Sequence, residues 1–294
     1  MGKLLRVVVM VLAGAGGATS QSGPETEARR ALDRFIERWN TGDDVQLREA
    51  MHFPFATVAG GGVVTVAYEP GDFRAGFDGL RENEGWSRST FDFDSFSVLR
   101  SSPEKVHLEI SYSRLRSDNT VYRQSRVFYI VTREDGRWAV KLRAPARPLQ
   151  PLSDAERDEI VSEARGAILQ FFTAFNAGDA DAAVEMLHHP HLFLTPPSAL
   201  TSTGGFRVAV SEKDGPRPDF DAMRQTEGWH MSSFDSLEAT SVTRDKVHFQ
   251  ITFTRWRPDG TRYWTVPALW IVTRADGHWA VQVRSLFPAT YDDR

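Results

Sequence analysis

The chain has 294 residues, of which 41% are hydrophobic and 25% charged, and its formal net charge is −4. These values are typical of a globular protein of about two domains. The acidic balance provides neither the clustered basic surface that nucleic acid requires nor a polybasic patch for anionic lipid. Because there are no cysteines, disulfides, thiol catalysis and thiolate metal sites are excluded.

The N-terminus has the pattern of a secretory signal. Two basic residues precede an apolar run that ends at Leu12, and small residues follow it. The run is too short to span a bilayer, which takes ~20 apolar residues, but it suits the core of a signal peptide. We expect residues 1–20 to be a signal peptide cleaved after Ser20 or Ala18, and the protein to be secreted or periplasmic with no membrane span in its mature form. A disordered or membrane-tethered N-terminus is the alternative.

The sequence contains one domain twice. Residues 105–143 align without a gap with residues 246–284 at an offset of 141, and 19 of the 39 positions are identical. Shorter motifs recur upstream at offsets of 136 and 143: residues 40–43 with 176–179, and residues 84–86 with 227–229. Small insertions or deletions in loops explain the changing offset. A tandem duplication is therefore predicted.

Each copy is predicted to begin with helices. Apolar residues recur with helical spacing from Ala28 to Trp39 and from Ala164 to Phe175, and a glycine then stops each helix. A short second helix (around 44–51 and 180–187), two short strands and a third helix (near 73–83 and 219–226) follow.

The rest of each copy is predicted to form strands. Apolar and polar residues alternate from Val106 to Tyr112 and again from Val247 to Phe253. Hairpin-turn residues follow at 118–119, 135–136, 259–260 and 276–277. Three long antiparallel strands are therefore expected to close each copy.

A proline-rich segment separates the two copies. Prolines at 145, 148 and 151 favour an extended linker, and Ser153 with Glu156 has the capping-box pattern that starts a helix. We divide the chain into a first domain at 26–145, a linker at 146–159 and a second domain at 160–287.

The order of elements resembles the nuclear transport factor 2-like superfamily, which includes ketosteroid isomerase and the polyketide-cyclase (SnoaL-like) proteins. The Asn-x-Gly-Asp motif that closes the first helix and the Asp-Gly-x-Trp start of the last strand carry the resemblance. It implies an α+β fold of two tandem cone-shaped domains, each a curved antiparallel sheet wrapped by about three helices around a pocket. Many members dimerise through the outer sheet face, so it also implies an intramolecular pseudo-dimer of the two copies.

The resemblance to ketosteroid isomerase implies a general base that this chain lacks. In that family an aspartate follows an Ala-Thr-Val-type strand, whereas Ala59 and Gly60 follow residues 56–58 here, and residues 192–196 of the second copy contain no acid. Abstraction of a proton beside a carbonyl needs a base within hydrogen-bond reach. Steroid-isomerase chemistry is therefore not expected, although a base elsewhere in the pocket stays open.

Four residue pairs shared by the copies are candidates for a ligand site. His107 and His248 lie on the polar side of a strand and either line the pocket as proton-transfer groups or face solvent or the other copy. The tryptophans either roof a pocket or pack in the core. The tyrosines either offer a pocket hydroxyl or fill a strand, and the arginines either clamp an anion or pair at the surface. These further candidates are Trp86, Trp229, Tyr122, Tyr263, Arg114 and Arg255.

No metal site or cofactor is predicted. Residues 188–191 are rich in histidine, but no carboxylate or thiolate lies near them and the first copy has only His52. We expect an exported protein that binds a small apolar or amphipathic molecule. One alternative is an enzyme of the isomerase, cyclase or hydrolase type that uses His107 or His248. The other is a non-catalytic protein-interaction module that uses the sheet face.

Overall fold

The computed structural model describes residues 22–146, 151–195 and 207–290. The predicted signal peptide and the linker residues 147–150 lie outside the described residues. Within the described part, no helix is long and apolar enough to cross a membrane.

The first copy consists of three α-helices and a six-stranded sheet. Its elements are α1 (Pro24–Asn40), α2 (Asp44–Arg48), β1 (Met51–Val58), β2 (Val64–Ala67), a 3-10 turn (Pro70–Asp72), α3 (Phe77–Glu84), β3 (Arg88–Ser102), β4 (Lys105–Leu115), β5 (Val121–Glu134) and β6 (Arg137–Pro145). The strand order in the sheet is β2-β1-β6-β5-β4-β3.

The second copy repeats this arrangement. Its elements are α4 (Asp154–Ala177), α5 (Ala180–Glu185), β7 (Leu187–Thr195), β8 (Arg207–Ser211), α6 (Phe220–Glu227), β9 (Met231–Thr243), β10 (Lys246–Trp256), β11 (Arg262–Ala275) and β12 (His278–Leu286). The strand order is β8-β7-β12-β11-β10-β9, which is the order of the first copy. The predicted α+β fold of two tandem copies is confirmed.

The structure corrects three details of the predicted elements. Four long strands close each copy instead of three, because β3 and β9 form the edges of the sheets, where half-exposed side chains weaken the alternating pattern. The sheets are mixed instead of wholly antiparallel, since β1 pairs in parallel with β6 and β7 with β12. Helix α4 begins at Asp154, where the Ser153–Glu156 capping box forms, and so lies partly inside the segment assigned to the linker.

The recurring Asn-x-Gly-Asp motif ties the first helix to the sheet. The Asn40 side chain donates to the Ser89 carbonyl (2.8 Å) and accepts from the Ser89 amide (2.7 Å) at the start of β3. Asp43 accepts from the Val45 amide and so caps α2. The second copy repeats the first contact between Asn176 and Ser232. The motif is therefore explained by the fold alone.

Each sheet buries its inner face against its own first helix. In the first copy Leu32 and Phe35 of α1 belong to one buried cluster with Leu108 and Ile110 of β4. Ile168, Phe171, Phe249 and Ile251 hold the corresponding places in the second copy. Each copy thus has its own hydrophobic core on the concave side of its sheet.

The outer faces of the two sheets pack against each other. Their side chains form one buried cluster to which both copies contribute: Ala56, Val58, Phe128, Ile130, Leu142 and Ala144 from the first, and Leu192, Leu194, Leu269, Ile271 and Val283 from the second. Burial of this apolar surface stabilises the contact by about 25 cal/mol per Å² removed from water.

Two buried lysines make the same contact in opposite directions. Lys105 Nζ donates to the Leu286 carbonyl and to Ser285 Oγ (3.1 Å) of the second copy. Lys246 Nζ donates to the carbonyls of Pro145 (2.8 Å) and Val58 (3.0 Å) in the first. Positions 105 and 246 correspond in the repeat, as do 145 and 286. A two-fold axis produces reciprocal contacts of this kind in dimers.

We predict that stability depends on the packing between the sheets. Replacing Ile271, which is fully buried in the shared cluster, by alanine should cost about 2–5 kcal/mol of the free energy of unfolding in urea. The matched control is Leu169→Ala on the exposed side of α4, expected within about 0.5 kcal/mol of the wild type. Equal losses in the two variants would contradict this prediction.

Candidate functional site

The first copy contains a cavity of about 230 Å³ between α1 and the concave face of its sheet. Aromatic rings supply much of its wall, and among the described residues no aspartate, glutamate or histidine lines it. The lining residues are Phe35, Ile36, Trp39, Ala59, Gly60, Ser89, Phe91, Tyr112, Arg114, Arg123, Val127, Tyr129, Arg143, Pro145 and Ala146.

Basic groups dominate the polar part of this cavity. Arg114 and Arg123 share one carboxylate, since Arg114 lies 2.8 Å and Arg123 3.7 Å from Glu84. Arg143 Nε donates to Thr57 Oγ1 (3.2 Å), and its guanidinium lies 5.0 Å from the centre of the Trp39 ring. The cavity therefore combines an apolar wall with an excess of positive charge.

Burial shifts the pKa values of two ionisable groups in the lining. Loss of hydration lowers the pKa of Arg143, and the positive charge of Arg114 lowers it further. Burial raises the pKa of Tyr129, so its phenol keeps its proton at neutral pH and can donate a hydrogen bond.

Among the described residues, the corresponding space of the second copy is a smaller cavity of about 50 Å³. Ile36 and Tyr129 correspond to Phe172 and Trp270, whose rings stack with their centres 5.6 Å apart in the space. Tyr112 corresponds to Phe253, which also lines the smaller cavity. Within the described residues, aromatic side chains of the second copy thus occupy much of the space that is open in the first.

His107 and His248 lie between the two sheets and line neither cavity. His107 Nε2 is 2.9 Å from Ser285 Oγ, and the Phe128 ring lies against both imidazoles. His107 and Glu109 at the start of the polar row face the other copy, so the structure agrees with the second alternative for the histidines and not with a place in the pocket. Burial lowers the pKa of each histidine well below its usual value, and the neighbouring lysines lower it further.

The predicted arginines line the cavities, whereas the predicted tyrosines, Tyr122 and Tyr263, are in neither lining. Arg114 and Arg255 line the first and second cavities, and each pairs with a glutamate, Glu84 or Glu227. The Tyr263 hydroxyl lies 3.2 Å from Glu227, and burial raises the pKa of Tyr263 to about 12. Tyr122, the equivalent of Tyr263, lies beneath Arg116, whose guanidinium is 4.8 Å from its ring.

Trp86 and Trp229 are core residues and line neither cavity. Trp86 stacks on Phe77 with the ring centres 5.3 Å apart, and its indole N–H donates to Ser89 Oγ (3.0 Å). Trp229 repeats both contacts with Phe220 and Ser232. They anchor the third helix of each copy instead of roofing the pocket.

The histidine-rich stretch of the second copy makes hydrogen bonds within the fold. His191 Nδ1 donates to the Val281 carbonyl (3.2 Å) and its Nε2 accepts from Arg284 Nε (3.0 Å), which fixes a neutral tautomer. His188 contacts Thr273 and His278. No group of three or more potential metal ligands occurs among the residues described.

Sequence reasoning missed Arg143, Tyr112 and Tyr129, which are polar residues of the cavity lining. Tyr112 stands on the apolar side of the alternation in β4, and Arg143 and Arg284 are identical in the two copies at the end of the repeated block. These two sequence patterns could have identified Tyr112 and Arg143 as candidate site residues. Which face of β6 points inward beyond this point is set by the bulge between Val140 and Leu142, which the sequence does not reveal.

Comparison with known proteins gives partial structural matches and no family. No family model and no curated protein matches the chain. The solved structures that match include nuclear transport factor 2-like proteins from Shewanella oneidensis (12% identity, 42% of this chain, 98% of that chain, TM-score 0.32) and Salmonella enterica (10%, 44%, 94%, 0.35). Another, from Novosphingobium aromaticivorans, has a cystatin-like fold (16%, 45%, 85%, 0.36). The predicted likeness to this fold agrees with the element order found here, and each match spans about half of the chain.

We predict that the free energy of unfolding decreases below pH 6.5 because of the buried histidines. The folded protein holds them neutral while the unfolded chain binds protons near pH 6.5, so stability falls as pH falls from 7.5 to 5, by at most ~1.4 kcal/mol per pH unit for each group. His248→Phe should make this pH dependence shallower in urea unfolding. His230→Phe, at an exposed position, should leave it unchanged. A His248→Phe profile parallel to the wild type would contradict the assignment.

Proposed function

We propose that the protein binds one small amphipathic molecule in the cavity of its first copy. The observation that carries this proposal is the contrast between the copies, because the described residues leave about 230 Å³ open in the first copy and about 50 Å³ at the corresponding place in the second. A concave site with an apolar wall and a few convergent polar groups is the usual form of a small-molecule site. The proposed ligand lies against Phe35, Trp39 and Phe91.

The second copy serves, in this proposal, as the built-in partner of an intramolecular pseudo-dimer. The shared cluster between the sheets and the reciprocal lysine contacts support this role. The same contact also covers the outer sheet faces, which argues against a protein-interaction module that uses this surface. We propose in addition that the protein is exported, on the strength of its N-terminal sequence pattern.

The cavity favours binding over the acid–base chemistry considered as the alternative. Ala59 and Gly60 line the wall at the place where the resemblance implies a carboxylate. The two candidate histidines are enclosed between the sheets, outside hydrogen-bond reach of a molecule in the cavity. The phenol of Tyr129 and the arginines are suited to orienting a ligand.

We predict that closing the first cavity in the manner of the second abolishes binding. The double variant Ile36→Phe/Tyr129→Trp installs the residues that the second copy carries, and it should weaken binding of the fluorescent probes 2-naphthoate and 2-naphthamide more than tenfold. Wild type should bind one equivalent. The matched control is Phe172→Ile/Trp270→Tyr, which changes only the second copy and should retain the first site. Binding by neither probe, or undiminished binding by the closed variant, would refute the proposed site.

A further inference from the structure

One arginine in the cavity has no carboxylate partner within the described ranges. Glu84 accounts for Arg114 and Arg123, but no acidic side chain of the described residues lies within 4.0 Å of Arg143. Arg143 is only partly exposed, and Arg114 faces the same space. A charge removed from water without a counter-ion costs free energy that an anionic guest would recover.

The orientation of Arg143 leaves the end of its guanidinium available. Its Nε donates to Thr57, while neither terminal Nη has a hydrogen-bond partner among the described residues. The two Nη groups of an arginine match the two oxygens of a carboxylate in a bidentate pair. Tyr112 and Tyr129 place two phenols in the same lining.

The corresponding arginine of the second copy is sealed. Arg284 Nε donates to His191, and its guanidinium lies 4.6 Å from the ring centre of Phe193 and 5.1 Å from that of Phe171. Phe193 corresponds to Thr57, because Phe193 pairs with Arg284 just as Thr57 pairs with Arg143. Identical arginines therefore have a cavity in front of them in one copy and aromatic rings in the other.

We infer that the ligand is a small aromatic carboxylate, held with its carboxylate on Arg143 and its ring against the aromatic wall. This inference rests on the proposed function and specifies the class of ligand for that site. The cavity is smaller than the ~300–1,000 Å³ of drug-sized pockets, which suits one ring or two fused rings. Tyr112 and Tyr129 are placed to donate to the same carboxylate.

The test compares two probes of nearly equal shape on the full chain. 2-Naphthoate carries a carboxylate and 2-naphthamide a neutral amide, and isothermal titration gives the affinity of each at pH 7. Wild type should bind the naphthoate about 10- to 100-fold more tightly, as expected for a hydrogen-bonded charge. Equal affinities, or a preference for the amide, would overturn the carboxylate while leaving the proposed function in place. Binding of neither probe defeats both.

Three variants test whether Arg143 causes the preference for naphthoate. Arg143→Gln should remove most of the preference for naphthoate and change naphthamide binding little, whereas Arg284→Gln should alter neither affinity. Arg143→Lys keeps the charge without the planar fork and should restore part of the preference. If Arg143→Gln keeps the full preference, the assignment to Arg143 is wrong. The comparison of probes on wild type decides the ligand class even where a variant fails to fold.

Discussion

The contact between the outer faces of the two sheets is the constraint on which the rest of this structure depends. Each copy is a curved sheet with a helix on one side only, so its other apolar face needs cover. The other copy supplies it. Because the contact is reciprocal, each repeat position in it occurs on both sides. A residue type that both copies share must therefore fit the contact from either side. Lys105 and Lys246 meet that requirement. Each donates a hydrogen bond to the carbonyl at the equivalent position of the other copy, Leu286 or Pro145.

The concave faces are free of this constraint. They never touch each other, so the residues on them can differ between the copies without disturbing the contact. Tyr129 and Trp270 stand at the same place, as do Thr57 and Phe193, and in each pair the second copy has the larger side chain. One copy can therefore close into a packed core while the other keeps a cavity. Under the proposed function, the duplication assigns support to one copy and binding to the other, which two identical subunits cannot do.

The sequence predicts the helices and strands of this fold better than it predicts the residues that line the cavity. Helical spacing, turn residues and the repeated block predict the two α+β copies and nearly all of their elements. The alternation in β4 was misleading because both faces of the first half of that strand, residues 105–110, are buried, one in the core and the other against the second copy. The polar residues of that half line neither a pocket nor the solvent. The direction of Arg143 depends on a bulge in β6 that no residue pattern marks.

Identity between the copies is a poor guide to the binding site of a duplicated chain. Residues that are identical in both copies maintain the structure that both copies share, which here is the fold and the contact between the sheets. The indoles of Trp86 and Trp229 donate hydrogen bonds to serines at the start of β3 and β9. His107 and His248 pack in the contact between the two sheets. The cavity is shaped by positions at which the copies differ. Arg143 is identical to Arg284, but it faces a cavity because its neighbour differs. Thr57 lies beside Arg143, whereas Phe193 lies beside Arg284. In a chain of this kind, difference at an inward position is the stronger indication of a ligand site.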